Sequence, residues 1–262
     1  MKPVKAIFFD VDGTLVSFRT HRVPASAAKA LAGLRAAGVR IFIATGRMLP
    51  MLSVLDGIPF DGYITCNGVY CTDGAGVRIY AAPVPQTDLE ALAAYLEGDP
   101  FPVAFMSETE ITINCVNDRV LEASALVGIQ PPAVRAVRDT IGRPVYQICM
   151  YADDDKVRRL MDGRMRHCSY SRWTPYFVDV NVAGNSKRTG IDRMLAHCGI
   201  RLEETMAFGD GGNDITMLQH VATGIAMGNA EDRVKDAAAW VTSSVDDDGI
   251  SRALAHFGLP AF

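Results

Sequence analysis

Two acidic residues, Asp10 and Asp12, follow a largely apolar segment at residues 4–9 and precede Gly13 and Thr14. Carboxylates at positions i and i+2, just beyond the end of a strand, can both turn toward one point. Two such charges about 4 Å apart repel each other by roughly 4 kcal/mol at an effective dielectric constant of about 20. The pair therefore needs a cation or a shared proton. The alternative interpretation is an ordinary Asp-Gly turn with incidental acids.

A second acidic cluster, Gly-Asp-Gly-Gly-Asn-Asp, occupies residues 209–214 directly after the apolar segment 206–208. The side chains of Asp210, Asn213 and Asp214 offer the oxygen ligands that hard divalent cations prefer. A structural turn is again the alternative, although three glycines and two carboxylates are costly for a simple loop. The pattern favours a cation site at this strand end.

Two further clusters have the composition of a phosphate-binding site. Thr45, Gly46 and Arg47 supply a hydroxyl, an unobstructed backbone N–H and a cation, although turns after strands often have this composition. Lys187 follows Ser186, a typical helix N-cap, at a position where the helix dipole favours an acid. A lysine there predicts a negative charge nearby, and a solvated lysine is the alternative.

The elements that must position these clusters alternate along the chain. Short apolar segments, typical of strands buried on both faces, alternate with helical patterns in the first 82 residues and again from Ser186 onward. This alternation predicts a parallel α/β sheet. In such sheets ligands bind beyond the carboxyl ends of the strands. Each cluster follows a predicted strand or begins a predicted helix, so the sheet would bring the four clusters together.

Residues 83–185 have a different character. Here predicted helices lie between short alternating strands, which favours an α+β domain with an antiparallel sheet. We therefore expect one domain at 1–82 and 186–262, interrupted by a second domain at 83–185. In the first domain the pattern predicts strands at 4–9, 40–44, 62–65, 206–208, 224–226 and 239–242, helices at 24–37, 49–55, 187–198, 213–219, 231–237 and 249–257, and a hairpin at 69–80.

Composition and charge narrow the class of protein. The 262 residues are 49% hydrophobic and 21% charged, as in globular chains, and 26 basic against 30 acidic residues give a net charge of −4. An acidic chain argues against sequence-independent binding of nucleic acid. The chain shows no signal peptide, no apolar run near the roughly 20 residues of a membrane span and no CxxC pair. We expect a cytoplasmic protein with no nucleic-acid or membrane partner.

Together the four clusters resemble the motifs of the haloacid dehalogenase superfamily of aspartate-nucleophile phosphotransferases. The matching positions are Asp10-Val11-Asp12-Gly13-Thr14-Leu15, Thr45, Lys187 and Gly209–Asp214. The long insertion between Thr45 and Lys187, and the preceding segment 64–68, are similar to the Cof-type branch with a type IIB cap, and closely so to its bacterial hexose-phosphate phosphatases. The resemblance covers essentially the whole chain. It implies a Rossmann-like α/β core with a parallel sheet and an inserted α+β cap domain.

The resemblance also implies a function. It points to a Mg²⁺-dependent phosphatase that hydrolyses small phosphate monoesters, hexose phosphates above all, through an aspartyl-phosphate intermediate. Asp10 would be the nucleophile and Asp12 the general acid and base. Mg²⁺ would be held by Asp10, Asp210, Asp214 and the backbone carbonyl of Asp12. The residues that would bind the phosphate group are Thr45, Gly46, Arg47, Lys187 and Asn213.

The cap would choose the leaving group. Our candidates are Arg172 and Trp173, on a predicted strand end, followed by Asn114 and Asn117. An indole face beside polar donors suits a sugar ring, while the alternative is that Trp173 is a buried aromatic residue of the cap core. The expected partner is a small phosphorylated molecule, and the expected state is a monomer or a weak homo-oligomer.

Two other functions stay open at this point. A sugar phosphomutase of the same superfamily would use the same nucleophile and pass the phosphoryl group to a second sugar hydroxyl. A signalling receiver also uses Asp, Thr and Lys around a phospho-aspartate. Receivers, however, keep their acidic pair and their phospho-acceptor on different strands, and the insertion between Thr45 and Lys187 has no purpose in a receiver.

Overall fold

The structure is a computed structural model that describes residues 3–172 and 174–261. Its strands are β1 (Ala6–Phe9), β2 (Arg40–Ala44), β3 (Gly62–Thr65), β4 (Tyr70–Asp73), β5 (Arg78–Ala81), β6 (Val103–Met106), β7 (Ile111–Ile113), β8 (Ala133–Val134), β9 (Gln147–Met150), β10 (Cys168–Ser171), β11 (Val178–Val182), β12 (Thr205–Gly209), β13 (Thr223–Ala226) and β14 (Trp240–Val241). Its α-helices are α1 (Ala25–Ala36), α2 (Gln86–Gly98), α3 (Asp118–Leu126), α4 (Asp154–Gly163), α5 (Lys187–Cys198), α6 (Ile215–Leu218), α7 (Asp232–Lys235) and α8 (Gly249–His256).

The larger sheet contains, within the described residues, eight strands in the order β14-β13-β12-β1-β2-β3-β4-β5. The strands from β14 to β3 run parallel, and β4 runs antiparallel to β3. β1 lies inside the sheet, where Ala6 is opposite Thr205 of β12 on one side and opposite Arg40 of β2 on the other. The predicted parallel α/β core is therefore confirmed.

The position of β1 follows from its composition. Its four residues, Ala-Ile-Phe-Phe, are completely buried, as a strand covered on both faces requires. Phe8 stacks on Phe42 of β2, and Phe9 stacks on Phe208 of β12, with ring centroids 5.0 and 5.1 Å apart. Burying each such ring contributes about 1.5–3 kcal/mol. These contacts fix the strand from which the Asp10 loop departs.

Most of the predicted helices of this sheet are present, with two differences in type. Residues Leu49–Leu55 form a 3₁₀ helix rather than an α-helix, and the predicted helix 213–219 divides into a 3₁₀ turn, Gly212–Asp214, followed by α6. The second difference has a local cause, because Oδ2 of Asp214 accepts the backbone N–H groups of Asp210 and Gly211 and so tightens the turn.

A second sheet has the order β10-β11-β9-β6-β7-β8 and is antiparallel except where β7 pairs with β8. Apolar side chains of this sheet share one buried core with those of α2 and α4, and this core includes Ile148, Val180, Leu92 and Leu160. This confirms the predicted α+β domain. The sequence analysis did not predict β8, which has only two residues, both of them exposed.

The chain divides into two compact units. One comprises Met1–Arg47, Met51–Tyr80 and Ser186–Phe262, and the other comprises Met48–Pro50 and Ala81–Asn185. None of the helices in the described parts of the chain combines the length and the apolar character of a transmembrane segment. The six cysteines, all within the described residues, form no disulfide bonds.

Candidate active site

The first acidic loop leaves the carboxyl end of β1. The N–H of Asp10 donates to the carbonyl of Phe208 on β12 (3.0 Å), so this residue is still held by the sheet. Asp10 is buried, at 6% exposure, and Asp12 lies two residues further along a tight loop. Gly13 has a φ of +81°, which favours glycine. A Cβ atom on Gly13 would lie 2.0 Å from Oδ2 of Asp210, so the loop needs glycine to let that carboxylate approach.

Lys187 lies at the centre of the acidic cluster. It is the first residue of α5, whose N-cap Ser186 accepts the N–H of Thr189 while the Thr189 hydroxyl accepts the N–H of Ser186. The predicted N-cap is thus confirmed. Nζ of Lys187 is 2.5 Å from Oδ1 of Asp10 and 2.5 Å from Oδ1 of Asp214, and the lysine is 1% exposed. The position of Lys187 predicted a negative charge nearby, and two carboxylates, those of Asp10 and Asp214, supply it.

The loop after β12 supplies two more carboxylates. Asp214 is completely buried; its Oδ1 accepts from Lys187, and its Oδ2 accepts the N–H groups of Asp210 (3.0 Å) and Gly211 (2.8 Å). Asp210 accepts the hydroxyl of Thr14 at Oδ1 (2.8 Å) and the amide of Asn229 at Oδ2 (3.1 Å). Oxygen atoms of Asp10, Asp210 and Asp214 lie within 4.8 Å of one another.

The ionisation of this cluster reflects its crowding. Burial, together with the nearby carboxylate of Asp214, raises the pKa of Asp10 to about 7. Burial and the charges of Asp10 and Asp214 also raise the pKa of Asp210 well above its ordinary value. Burial alone would lower the pKa of Lys187, but its two ion pairs outweigh burial and raise it. Lys187 therefore stays charged, but its single positive charge does not neutralise the carboxylates around it.

A divalent cation fits this donor set. Four carboxylates, those of Asp10, Asp12, Asp210 and Asp214, face two cations, Lys187 and Arg47, which leaves two negative charges when all are ionised. Three of the carboxylates are close enough to share one ion. An all-oxygen site of this kind suits Mg²⁺, which is usually held by one or two carboxylates and several waters.

The turn after β2 contains Thr45, Gly46 and Arg47. The Thr45 hydroxyl accepts the backbone N–H of Arg47 (3.1 Å), and Thr45 is 1% exposed. The guanidinium of Arg47, which is predicted to bind phosphate, pairs with Asp12 at both carboxylate oxygens, with N···O distances of 2.8 and 2.7 Å. Burial opposes this charge, but the hydrogen bonds and charge of Asp12 raise the pKa of Arg47.

The turn after β3 connects the other loops. Cys66, Asn67 and Gly68 have φ values of +48°, +54° and +93°, an uncommon left-handed run. The N–H of Asn67 donates to the carbonyl of Thr45 (2.9 Å), and its side-chain oxygen accepts the amide of Asn213 (3.0 Å). Asn213, predicted to bind phosphate, is therefore oriented by a residue from another strand end.

The candidate residues of the second unit are engaged in its own structure. Arg172 donates to the carboxylate of Asp154 and to several backbone carbonyls, among them that of Ala152 (2.9 Å). Asn114 accepts the N–H of Val103 and donates to the carbonyl of Phe101. Asn117 is the N-cap of α3. Trp173, the fourth candidate, lies outside the described residues.

Sequence reasoning missed one residue of the site, Asn229. Its amide donates to the carbonyl of Gly13 (2.9 Å) as well as to Asp210, and its oxygen accepts the N–H of Val245 (2.9 Å). It follows β13, a parallel strand of the same sheet. The rule that located the other clusters, that ligands lie beyond strand carboxyl ends, therefore offered a signal for Asn229 too.

The comparisons with known proteins agree with this fold and site. A family model described as haloacid dehalogenase-like hydrolase matches residues 7–254. YkrA of Bacillus subtilis strain 168 is 31% identical over 258 residues, which cover 97% of this chain and 98% of that protein. The pyridoxal phosphate phosphatase YbhA of Escherichia coli strain K12 is 28% identical over 265 residues, which cover 95% and 96%.

Solved structures extend the likeness to the fold. The structure of the subclass IIB sugar phosphatase BT4131 matches with a TM-score of 0.89 at 42% identity and covers 97% of this chain and 99% of that one. The parallel core with its cap is therefore the subclass IIB architecture, as the sequence predicted. The chain belongs to the haloacid dehalogenase-like hydrolase family. Within that family it is an enzyme of the phosphatase class, which removes the signalling receiver as an alternative.

Proposed function

We propose that this protein is a Mg²⁺-dependent phosphatase of sugar phosphates, hexose phosphates above all, that works through an aspartyl-phosphate on Asp10. The observation that carries the proposal is the cluster of Asp10, Asp210 and Asp214, within 4.8 Å of one another, with the buried Lys187 bound to two of them. The substrate class is supported by the 42% identity to the sugar phosphatase BT4131. Pyridoxal phosphate, the substrate in YbhA's name, is the competing small substrate.

In this proposal Mg²⁺ is held by the carboxylates of Asp10, Asp210 and Asp214 together with the backbone carbonyl of Asp12. Support comes from the raised pKa values of Asp10 and Asp210, which show carboxylates crowded beyond what Lys187 neutralises. When bound, the cation would supply the positive charge that lets an anionic nucleophile approach a phosphate dianion.

The chain's own residues would carry two half-reactions. A carboxylate oxygen of Asp10 attacks phosphorus, and the bond between phosphorus and the leaving oxygen breaks as Asp12 gives that oxygen a proton. Water then attacks the phosphorus of the aspartyl-phosphate and transfers a proton to Asp12, and the bond between phosphorus and the Asp10 oxygen breaks. Inorganic phosphate leaves, and Asp10 and Asp12 return to their starting states. One carboxyl group serves both steps because the second step returns the proton that the first removed.

The phosphate oxygens would be bound by Lys187, Thr45, the backbone N–H of Gly46 and Asn213. Two of these residues are already held in place by Asn67. The Asn67 N–H donates to the carbonyl of Thr45, and the Asn67 side-chain oxygen accepts the amide of Asn213. Donors that are already oriented do not have to reorganise as negative charge redistributes in the transition state.

We further propose that the cap domain expected at residues 83–185 selects the leaving group of a small phosphorylated substrate. We also propose that the protein is cytoplasmic and is a monomer or a weak homo-oligomer. The hydrogen bonds of Arg172, Asn114 and Asn117 argue that these three hold the unit's structure, which leaves Trp173 as the candidate for a sugar face. Trp173→Ala should raise KM for the preferred sugar phosphate more than KM for a small aryl phosphate.

The deciding experiment is a phosphate-release screen of the full chain over hexose, pentose, polyol, nucleotide and pyridoxal phosphates, with Mg²⁺ or with EDTA. We expect the highest kcat/KM for a hexose phosphate, only with Mg²⁺. Release of phosphate from glucose 6-phosphate without a bisphosphate activator favours the phosphatase over the mutase. A strong preference for pyridoxal phosphate, or activity that persists in EDTA, would contradict the proposal.

A further inference from the structure

We propose that Arg47 is a positioning residue for Asp12 and not a ligand of the phosphate group. The evidence is a two-point ion pair: Nε of Arg47 is 2.8 Å from Oδ2 of Asp12, and Nη2 is 2.7 Å from Oδ1. Parallel N–H···O bonds of this kind fix the orientation of a carboxylate, since the planar fork matches both oxygens at once. The inference rests on the proposed function, in which Asp12 transfers the proton.

Arg47 itself is held at three further points. Its Nη1 donates to the carbonyl of Met51 (3.0 Å), its backbone N–H donates to the Thr45 hydroxyl (3.1 Å), and its carbonyl accepts the N–H of Cys66 (3.0 Å). The Arg47 side chain is buried, with only 9% of it exposed. Three of the five guanidinium N–H donors are thus directed to Asp12 and Met51, and a rotation of the side chain toward another partner would break the two-point pair with Asp12.

The backbone beneath Asp12 is equally restrained. The carbonyl of Val11 accepts the N–H groups of residues 14–16, and the N–H of Gly13 donates to the carbonyl of Val16 (2.8 Å). Because the loop fixes the Cα atom of Asp12, only its side-chain torsions are left to vary, and Arg47 fixes those.

The charges of the site divide in the same way. Lys187 binds Asp10 and Asp214, while Arg47 binds Asp12. Moving Arg47 to the phosphate would separate Asp12, whose side chain is only 12% exposed, from its guanidinium partner. A buried carboxylate that loses its partner is costly. The division therefore favours Arg47 as the permanent partner of the proton-transferring carboxylate.

A positioning role predicts a dependence on the leaving group. Proton transfer requires an Asp12 oxygen within hydrogen-bond reach of the leaving oxygen. Phenolate is a basic leaving group that needs the proton, whereas 4-nitrophenolate departs without it. The two esters, phenyl phosphate and 4-nitrophenyl phosphate, otherwise present the same phosphate group. The value of kcat/KM reports the steps up to the aspartyl-phosphate, so the later attack of water does not enter it.

The experiment compares Arg47→Gln and Arg47→Lys with the wild-type full chain on both esters, with inorganic phosphate as a competitive inhibitor. We expect kcat/KM for phenyl phosphate to fall by roughly 10²-fold and that for 4-nitrophenyl phosphate by only about threefold, as loss of proton transfer requires. The inhibition constant of inorganic phosphate should not change. Arg47→Lys should be nearly as impaired as Arg47→Gln, because an ammonium group keeps the charge but lacks the fork.

Controls separate this inference from the proposed function. Arg201→Gln breaks another arginine–carboxylate pair of the same unit, with Glu204, and should leave kcat/KM for both esters unaffected.

Asp12→Asn should show the same leaving-group dependence as the Arg47 variants. If Asp12→Asn lacks it, the proton-transfer role of Asp12 fails and the inference with it. A second outcome overturns only the inference. In it Asp12→Asn shows the leaving-group dependence, but folded Arg47 variants lose kcat/KM equally for both esters and are inhibited less strongly by inorganic phosphate. Arg47 would then be a phosphate ligand. Melting curves show which variants are folded. If Arg47→Gln does not fold, Arg47→Lys, which retains the buried positive charge, takes its place in the comparison.

Discussion

The Nζ atom of Lys187 lies 2.5 Å from Oδ1 of Asp10, although the two residues are 177 positions apart in the chain. The same Nζ atom lies 2.5 Å from Asp214, so one buried cation joins the loop after β1 to the loop after β12. Lys187 thus serves the fold and the site together. Without it, two buried carboxylates would face each other with no positive charge between them.

Replacing the nucleophile tests the chemistry with little change in shape. Asp10→Asn is expected to lower kcat for 4-nitrophenyl phosphate by at least roughly 10³-fold, because the amide cannot form the aspartyl-phosphate. The fold should persist, since Lys187 keeps its ion pair with Asp214. Phosphate release and circular dichroism measure the two effects. Asp155→Asn, at an exposed position on α4, is the matched control, and activity of Asp10→Asn near that of this control would refute the nucleophile's identity.

Removal of the metal should affect both activity and stability. EDTA should abolish phosphate release, and added Mg²⁺ should restore it. A cation that binds only the folded site should raise Tm by roughly 5–10 °C when its concentration is about 100 times Kd. Differential scanning calorimetry measures the shift. Asp210→Asn, which removes one carboxylate of the cluster, should show a smaller shift, and an unchanged shift in this variant would place the ion elsewhere.

Asn229 should influence Mg²⁺ binding although it is not a proposed ligand. Asn229→Ala removes the amide that holds Oδ2 of Asp210 and the carbonyl of Gly13, so we expect Mg²⁺ affinity to fall by about 10–100-fold. Isothermal titration calorimetry measures the affinity without turnover. Asn185→Ala removes an amide from the turn after β11 and should leave the affinity unchanged. Equal affinities in the two variants would show that Asp210 needs no such support.

Gly68 allows a close approach that no side chain could replace. Its φ is +93°, and a Cβ atom would lie 2.0 Å from the carbonyl oxygen of Ser186, the N-cap of α5. We expect Gly68→Ala to destabilise the protein by roughly 2–5 kcal/mol and to lower kcat by displacing Lys187. Gly38→Ala is the control, because Gly38 has a φ of +79° but open space around it, and should cost about 1–2 kcal/mol. Urea unfolding gives both values, and equal losses would rule out the clash.

Glu204 makes stability depend on acidity. Hydrogen bonds from Arg201 and Lys5 lower the pKa of Glu204 to about 2, from an ordinary value of 4.5. The unfolded chain therefore binds the proton more readily, and the stabilisation, complete above pH 4.5, is lost as the pH falls toward 2. We expect Glu204→Gln to lower Tm at pH 7 and to approach the wild-type Tm near pH 2–3. A Tm difference that does not vary with pH would contradict this origin.

The sequence was sufficient to predict the sheet and the position of its polar loops, because both depend on local patterns. Each cluster is placed by the strand before it, and a buried parallel strand is recognisable from its continuous apolar run. The partners of individual side chains were harder to predict. Arg47 and Asp12 come from different loops, 35 positions apart, and their ion pair depends on how the ends of β1 and β2 align.

The second unit shows the same limit. Asn114 satisfies the backbone of residues at the start of β6, an arrangement that depends on the pairing of β6 with β7. Such long-range contacts leave no trace in local spacing. Asn117 was more accessible to prediction, since an asparagine directly before a helical pattern is typical of an N-cap.

The place of β1 between β2 and β12 also governs how the molecule is made. During translation β1, β2 and β3 can pair early, but one edge of β1 stays open until β12 emerges, and Thr14 meets Asp210 across 196 positions. At about 5–20 residues per second that wait lasts roughly 10–40 s. An unpaired apolar strand edge is prone to aggregation. The nascent chain therefore passes through a vulnerable and catalytically silent period that ends only once β12, at residues 205–209 of the 262, has emerged.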